Sequence, residues 1–156
     1  MSRSGADLAL LLLGGYRSLV DAATTELASR GYEDFKPVHE FALRAIVAGA
    51  DSASDLGRRT SVSKQAAAKT IAALVERGYI VSAPDPGDAR RKRLEVTSRG
   101  LEVMAQGEAI LENVRNKWEK QIGPTELANL EARLAALVGD AAIRIDAPGW
   151  VAQDPR

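Results

Sequence analysis

Apolar residues recur at helical spacing over the first thirty positions. Leu8, Leu12, Tyr16, Leu19, Val20, Ala23 and Leu27 step by 4, 4, 3, 1, 3 and 4, which predicts an amphipathic helix over residues 6–30. Gly14-Gly15 inside it costs about 1 kcal/mol per glycine and predicts a local kink. Gly31 stands where a C-cap residue should. A second helix is expected from Pro37, whose missing N–H is no loss in a first turn, to Val47, before Gly49. Ser52 then caps a short helix with Asp55 in its first turn, running to Arg59. Thr60-Ser61-Val62 breaks it. Ser63 caps the next helix, an alanine-rich stretch from Lys64 to Arg77 that stops at Gly78.

The period then changes. Tyr79-Ile80-Val81 is aromatic and β-branched, residues 84–88 are dense in turn formers, and Arg93-Leu94-Glu95-Val96-Thr97 alternates charged with apolar. These features predict a two-stranded hairpin with a long basic tip. After Thr97-Ser98, a further capping signal, a long helix is expected over Arg99–Gln121, with Leu101, Met104, Leu111, Val114, Trp118 and Ile122 along one side. Gly123-Pro124 interrupts it. A last helix carries Leu127, Leu130, Leu134, Leu137, Val138 and Ala141, and the segment 147–156 reads as a loose tail. Two short helices joined by a tight turn and followed by a hairpin make a winged helix-turn-helix. The fold class expected is mostly α with a small β-hairpin wing. Residues 37–98 form the winged core, and residues 6–30 and 99–144 form long flanking helices. Those helices have more apolar surface than a small winged domain can cover, so pairing with a second copy is expected.

Composition narrows the chemistry. The 156 residues suit one compact domain, and 46% apolar with 27% charged residues is ordinary for a globular chain. Cysteine is absent, which excludes disulfides, a thiolate nucleophile, a cysteine redox switch and a Cys-based zinc site. A single histidine cannot form a His cluster. No Ser-His-Asp order and no glycine-rich phosphate loop is present, so neither an enzyme nor a metal or other cofactor is expected. The apolar run Leu8–Leu13 is too short for a signal-peptide core or a membrane span, and a cytoplasmic protein is expected. The formal net charge of zero hides an asymmetry. Residues 53–100 hold ten basic and five acidic residues, a net +5, and the remaining eleven basic and sixteen acidic residues give −5. Phosphate affinity depends on local charge, so this central block suits a nucleic acid.

The stretch Leu56–Gly100 resembles the MarR family of bacterial transcription regulators. The resemblance rests on Asp55-Leu56-Gly57-Arg58-Arg59, Ser63-Lys64-Gln65, Leu74 through Ile80, Asp85 through Arg90, and Val96-Thr97-Ser98-Arg99-Gly100. It implies a homodimeric, sequence-specific regulator of double-stranded DNA, most often a repressor, reading a pseudo-palindromic operator. An α-helix in the major groove reads base edges with its N-terminal residues. With Ala67, Ile71 and Leu74 toward the core, Lys64, Gln65, Ala68, Lys69 and Ala72 take the opposite face. Gln65 suits adenine, Lys64 suits guanine, and Ala68 allows close approach. Arg58, Arg59, Ser61 and Ser63 suit phosphates. In the wing, the resemblance implies that Arg90 enters the minor groove and Asp88 fixes its geometry, with Arg91 and Lys92 alongside.

The resemblance also implies a cavity between the dimerisation and DNA-binding parts for a small aromatic or phenolic effector. Tyr16, Arg17, His39, Phe41 and Trp118 are the candidates for its lining. A lone histidine and aromatics at helical spacing equally suit plain core packing. The alternative function is a winged helix used for protein contacts, without DNA.

Overall fold

The computed structural model describes residues 3–139. Its elements are α1 (Gly5–Ser29), α2 (Pro37–Val47), α3 (Ala53–Thr60), α4 (Lys64–Glu76), β1 (Ile80–Asp85), β2 (Asp88–Val96), α5 (Ser98–Ile122) and α6 (Pro124–Val138). The expected helices fall within one or two residues of these bounds. The expected helical stretch from 140 to 144 and the tail at 147–156 lie outside the described residues.

Local chemistry sets the helix ends. The Ser4 hydroxyl accepts the Asp7 amide at 3.1 Å while the Asp7 carboxylate accepts the Ser4 amide at 2.9 Å, a reciprocal cap that starts α1. Ser52, Ser63 and Thr97 cap α3, α4 and α5 through their hydroxyls. α1 stays helical through Gly14-Gly15. Gly15 faces Trp118 of α5, 3.7 Å from where its Cβ would lie, so the small residue lets the two long helices approach.

The helix-turn-helix depends on Gly57. A Cβ there would meet the Val62 carbonyl oxygen at 2.9 Å and that of Ser63 at 3.3 Å, so α3 and the turn before α4 pack with no room for a side chain. Ser61 makes the turn in the left-handed region at φ 57°. Gly100 does the same at the base of the hairpin, pressed against the Tyr79 carbonyl and Val96. Thr97 closes that joint, its amide donating to Tyr79 O at 2.9 Å and its hydroxyl to Gly78 O at 2.6 Å.

The hairpin differs from expectation. Its strands are longer and its turn shorter, because β1 runs through Pro84 to Asp85 and only Pro86-Gly87 turns the chain. Proline is tolerated there because a two-stranded sheet consists only of edges. The register runs from Ile80↔Val96 to Pro84↔Lys92, then slips to Asp85↔Asp88. Ala89, Arg90 and Arg91 therefore bulge out of the ladder, which redirects side chains near the tip. Arg93, the start of the alternating strand the sequence predicts, sits in the regular ladder opposite Ala83.

The core joins all the middle elements. Leu43, Leu56, Leu74, Tyr79, Ile80 and Val103 are fully buried, with Leu27 of α1 and Ile110 of α5 closing one side. α5 packs along α1, and α6 returns along α5, tied by a bidentate pair from Arg115 to Glu131 at 2.6 and 3.0 Å. No described helix is long and apolar enough to cross a membrane.

Candidate nucleic-acid interface

α4 presents its expected faces. Ala67 and Leu74 are buried and Ile71 packs against the core, which leaves Lys64, Gln65, Ala68, Lys69 and Ala72 exposed together. Ser63 is exposed, but its hydroxyl already accepts the Ala66 amide at 3.0 Å, so it holds the start of α4 first. Ser61 is half-buried at the left-handed turn.

The two arginines of α3 differ. Both pair with Asp55, whose carboxylate also takes the Asp51 amide at 3.3 Å. Burial pushes the Asp55 carboxyl up, but hydrogen bonds and charge from Arg59 and Arg58 outweigh it and hold the group below its ordinary range. Arg59 is only 34% exposed and reaches the Ala48 carbonyl at 3.4 Å, so it braces α3 against the end of α2. Arg58 is 76% exposed and keeps most of its guanidinium toward solvent.

At the wing, the Asp88 carboxylate accepts the backbone amide of Arg90 at 3.0 Å. Asp88 thus shapes the backbone that carries Arg90, and does not pair with its guanidinium. Arg93 pairs with Glu95 at 2.6 Å, whereas Arg90, Arg91 and Lys92 are exposed and make no ion pair among the described residues. Three exposed cations thus stand at the bulged tip of the wing, and Lys64, Gln65 and Lys69 stand on the exposed face of α4.

A cavity of about 330 Å³ lies between α1, α2 and α5. Its wall is apolar (Leu19, Val20, Ala23, Phe35 and Leu111 among others), with the Glu40–Arg44 pair and Glu108 at its polar end. Burial raises the Glu40 carboxyl, Arg44 partly offsets this, and Glu108 adds to the rise. Of the five candidate lining residues, Tyr16 and Phe41 are in the wall. Arg17, His39 and Trp118 are not. Arg17 is exposed on α1, and Trp118 packs on Gly15. His39 is buried, with Nδ1 accepting the Lys36 amide at 3.0 Å and its ring 5.8 Å from that of Phe35. Burial, with Arg77 and Lys36 nearby, drives its pKa down to about 4 despite Asp34, so it is neutral at ordinary pH.

Sequence reasoning missed the joint between this cavity and α4. The Arg99 guanidinium lies 5.1 Å from the Tyr32 ring centre and 5.6 Å from that of Tyr79. Arg77 donates from Nη1 to the Asp34 carbonyl at 2.9 Å. No spacing pattern predicts contacts between residues more than forty positions apart.

An exposed helix face, a capped helix-turn-helix and a basic hairpin define a winged helix-turn-helix protein. Residues 34–91 match the sequence model of the MarR family. Over residues 34–91 the chain is thus similar to the MarR family, on a winged-helix fold. It is 32% identical over 71 residues to the HTH-type transcriptional regulator BilQ of Clostridioides difficile (strain CD3), a match spanning 46% of this chain and 45% of that relative. A mutant MarR from E. coli shares the fold at TM-score 0.67 and 18% identity, over 89% of this chain and 99% of that one. A MepR mutant from S. aureus, bound to an oligodeoxyribonucleotide, does so at TM-score 0.61 and 16% identity, over 84% and 95%. BilQ carries the name of a transcriptional regulator, and no group of three or more acidic or histidine side chains among the described residues could hold a metal.

Proposed function

We propose that this chain is a sequence-specific regulator of transcription that binds double-stranded DNA as a homodimer and acts as a repressor. The carrying observation is the exposed Lys64-Gln65-Ala68-Lys69 face of α4 together with the exposed Arg90, Arg91 and Lys92 of the wing, which make no ion pair among the described residues. In this reading Gln65 and Lys64 read base edges, and Lys69, Ser61, Ser63 and Arg58 approach the backbone. Arg59 contributes mainly by holding α3, and Asp88 sets the backbone from which Arg90 reaches a minor groove, where a narrow groove deepens the negative potential. The MepR structure bound to an oligodeoxyribonucleotide supports the use of this fold on DNA.

Residues 37–98 serve as the DNA-binding unit, and 6–30 with 99–144 as the dimer-forming part. Leu8 and Leu10–Leu13 on α1, with Leu130 and Leu137 on α6, are exposed, and a second copy would cover them. Two copies would set two α4 helices on a pseudo-palindrome. The cavity beside Tyr16 and Phe41 takes a small, largely apolar effector such as an aromatic or phenolic compound, which releases DNA by favouring a dimer geometry that misfits the operator. A mobility shift on random duplex DNA across salt concentrations tests the reading. Retardation that weakens steeply with salt is expected, and a chain indifferent to duplex DNA would leave only a protein-contact module.

A further inference from the structure

The turn between α1 and α2 is built as a joint. Asp34 holds φ at 56°, a left-handed conformation that aspartate tolerates better than most residues but that needs support from its surroundings. That support comes from Arg77, the residue that ends α4, which donates its Nη1–H to the Asp34 carbonyl at 2.9 Å. The buried His39 follows this turn, its Nδ1 accepting the Lys36 amide at 3.0 Å. The next three residues, Phe35, Lys36 and Pro37, line the α1–α2–α5 cavity. Phe35 also meets Tyr79 edge to face, with ring centres 5.7 Å apart, and Tyr79 lies two residues beyond Arg77. One strained turn therefore touches the cavity on one side and the end of α4 on the other.

We propose that Arg77 is a positioning residue that couples the cavity to α4. A group seated against Phe35 and Lys36 shifts the Asp34 carbonyl, and Arg77 transmits that shift to the last turn of α4 and the base of the wing. The proposal rests on the reading of the cavity as the effector site and deepens it by naming the contact through which occupancy is felt. It needs no contact between Arg77 and DNA. Arg77 ends α4, whereas the reading residues Lys64 and Gln65 begin it. A second, apolar link through Phe35 and Tyr79 runs in parallel, so a test must show that the polar link carries the response.

The test needs no identified effector. Ala23, in the cavity wall and half-buried, is replaced by leucine to fill part of the 330 Å³. Native-state hydrogen exchange is then read on the full-length chain, with Arg77 intact and as Arg77→Met. With Arg77 intact, Ala23→Leu is expected to change exchange by roughly fivefold or more at the amides of residues 74–79 as well as those of residues 35–41. In the Arg77→Met background the change at 74–79 should fall below about twofold while that at 35–41 remains, the mark of coupling in a double-mutant cycle. Arg77→Lys, which keeps a long cationic donor, should retain part of the response. If Arg77→Met does not fold, Arg77→Gln takes its place, polar but too short to reach. A response at 74–79 that survives loss of Arg77 overturns the proposal and assigns coupling to the Phe35–Tyr79 contact. A response confined to 35–41 in the intact chain overturns it too, while leaving the cavity as a ligand site. A chain that shows the full exchange pattern but ignores duplex DNA keeps the tie and removes the DNA reading, so the two failures are distinguishable.

Discussion

The winged core and the terminal helices solve the burial problem in opposite ways. Between Leu27 and Ile110 a contiguous set of apolar residues closes on itself, and Leu43, Leu56, Leu74, Ile80 and Val103 lose essentially all contact with solvent, while Val47, Val75, Val81 and Leu101 stay exposed. In α1 before Leu27, no residue is buried, and Leu8 and Leu10 stay 57% and 65% exposed. So many leucines against water make the surface that a second copy covers in the proposed dimer. In that reading the core closes within one copy and the terminal region supplies half of an interface. The charge divides the same way, since the net +5 lies within residues 53–100 and the terminal helices belong to the −5 remainder. In the proposed function one part faces phosphate and the other faces its own copy.

The sharpest way to break this division is to charge the uncovered helix. Leu8→Glu with Leu12→Glu should leave the winged core folded by circular dichroism but give a monomer by light scattering. Affinity for a two-half-site DNA should fall by on the order of a hundredfold or more, because the second half-site no longer binds intramolecularly. A persisting dimer would place the interface elsewhere. Next in size, Leu43→Ala removes a fully buried side chain from the core and should destabilise by about 2–5 kcal/mol in denaturant melts. The same change at exposed Leu10 should cost far less in the monomeric background.

Acid sensitivity should also belong to the core. The His39 pKa is lowered from 6.5 to about 4, so between those values the unfolded chain binds a proton that the folded chain does not. The stability this represents is complete above pH 6.5 and is lost as pH falls toward 4, by up to about 3 kcal/mol. His39→Asn should flatten the stability–pH curve across that window, and an unchanged slope would mean that the ring titrates normally. Smallest of the four, Gln65→Ala should cost roughly 1–3 kcal/mol on the cognate site and little on random DNA. An unchanged ratio of the two affinities would remove Gln65 from base reading.

Much of this was legible in the sequence, because helix faces, caps and turn formers act locally. The 3.6-residue period located the long helices α1 and α5, and Pro37, Ser52, Ser63, Thr97 and Gly123-Pro124 marked helix ends. Residues 84–88 were expected to form a broad turn, but backbone pairing extended both strands past Pro84 and left the turn to Pro86-Gly87. The outward face of α4 was readable because it is the complement of the Ala67–Ile71–Leu74 stripe. Arg59 was not separable from Arg58 in the sequence, since only the position of Ala48 shows which arginine turns inward. His39 and Trp118 were candidate cavity residues on the family resemblance alone, but their rings pack against Phe35 and Gly15. The contacts of Arg77 with Asp34 and of Arg99 with Tyr32 join distant segments, so they became visible only once the chain was folded.

The central claim is that the cationic wing and α4 contact DNA directly, and the salt dependence of binding tests it most directly. The logarithm of the association constant for duplex DNA, plotted against the logarithm of salt concentration, should fall linearly, with a slope of about −0.9 for each phosphate neutralised. Arg90→Ala, with thermal stability matched to the parent chain, should weaken binding to cognate and random DNA alike and make the slope shallower by about one unit. Full affinity and an unchanged slope in that variant would show that the wing is only a turn, and would contradict the account.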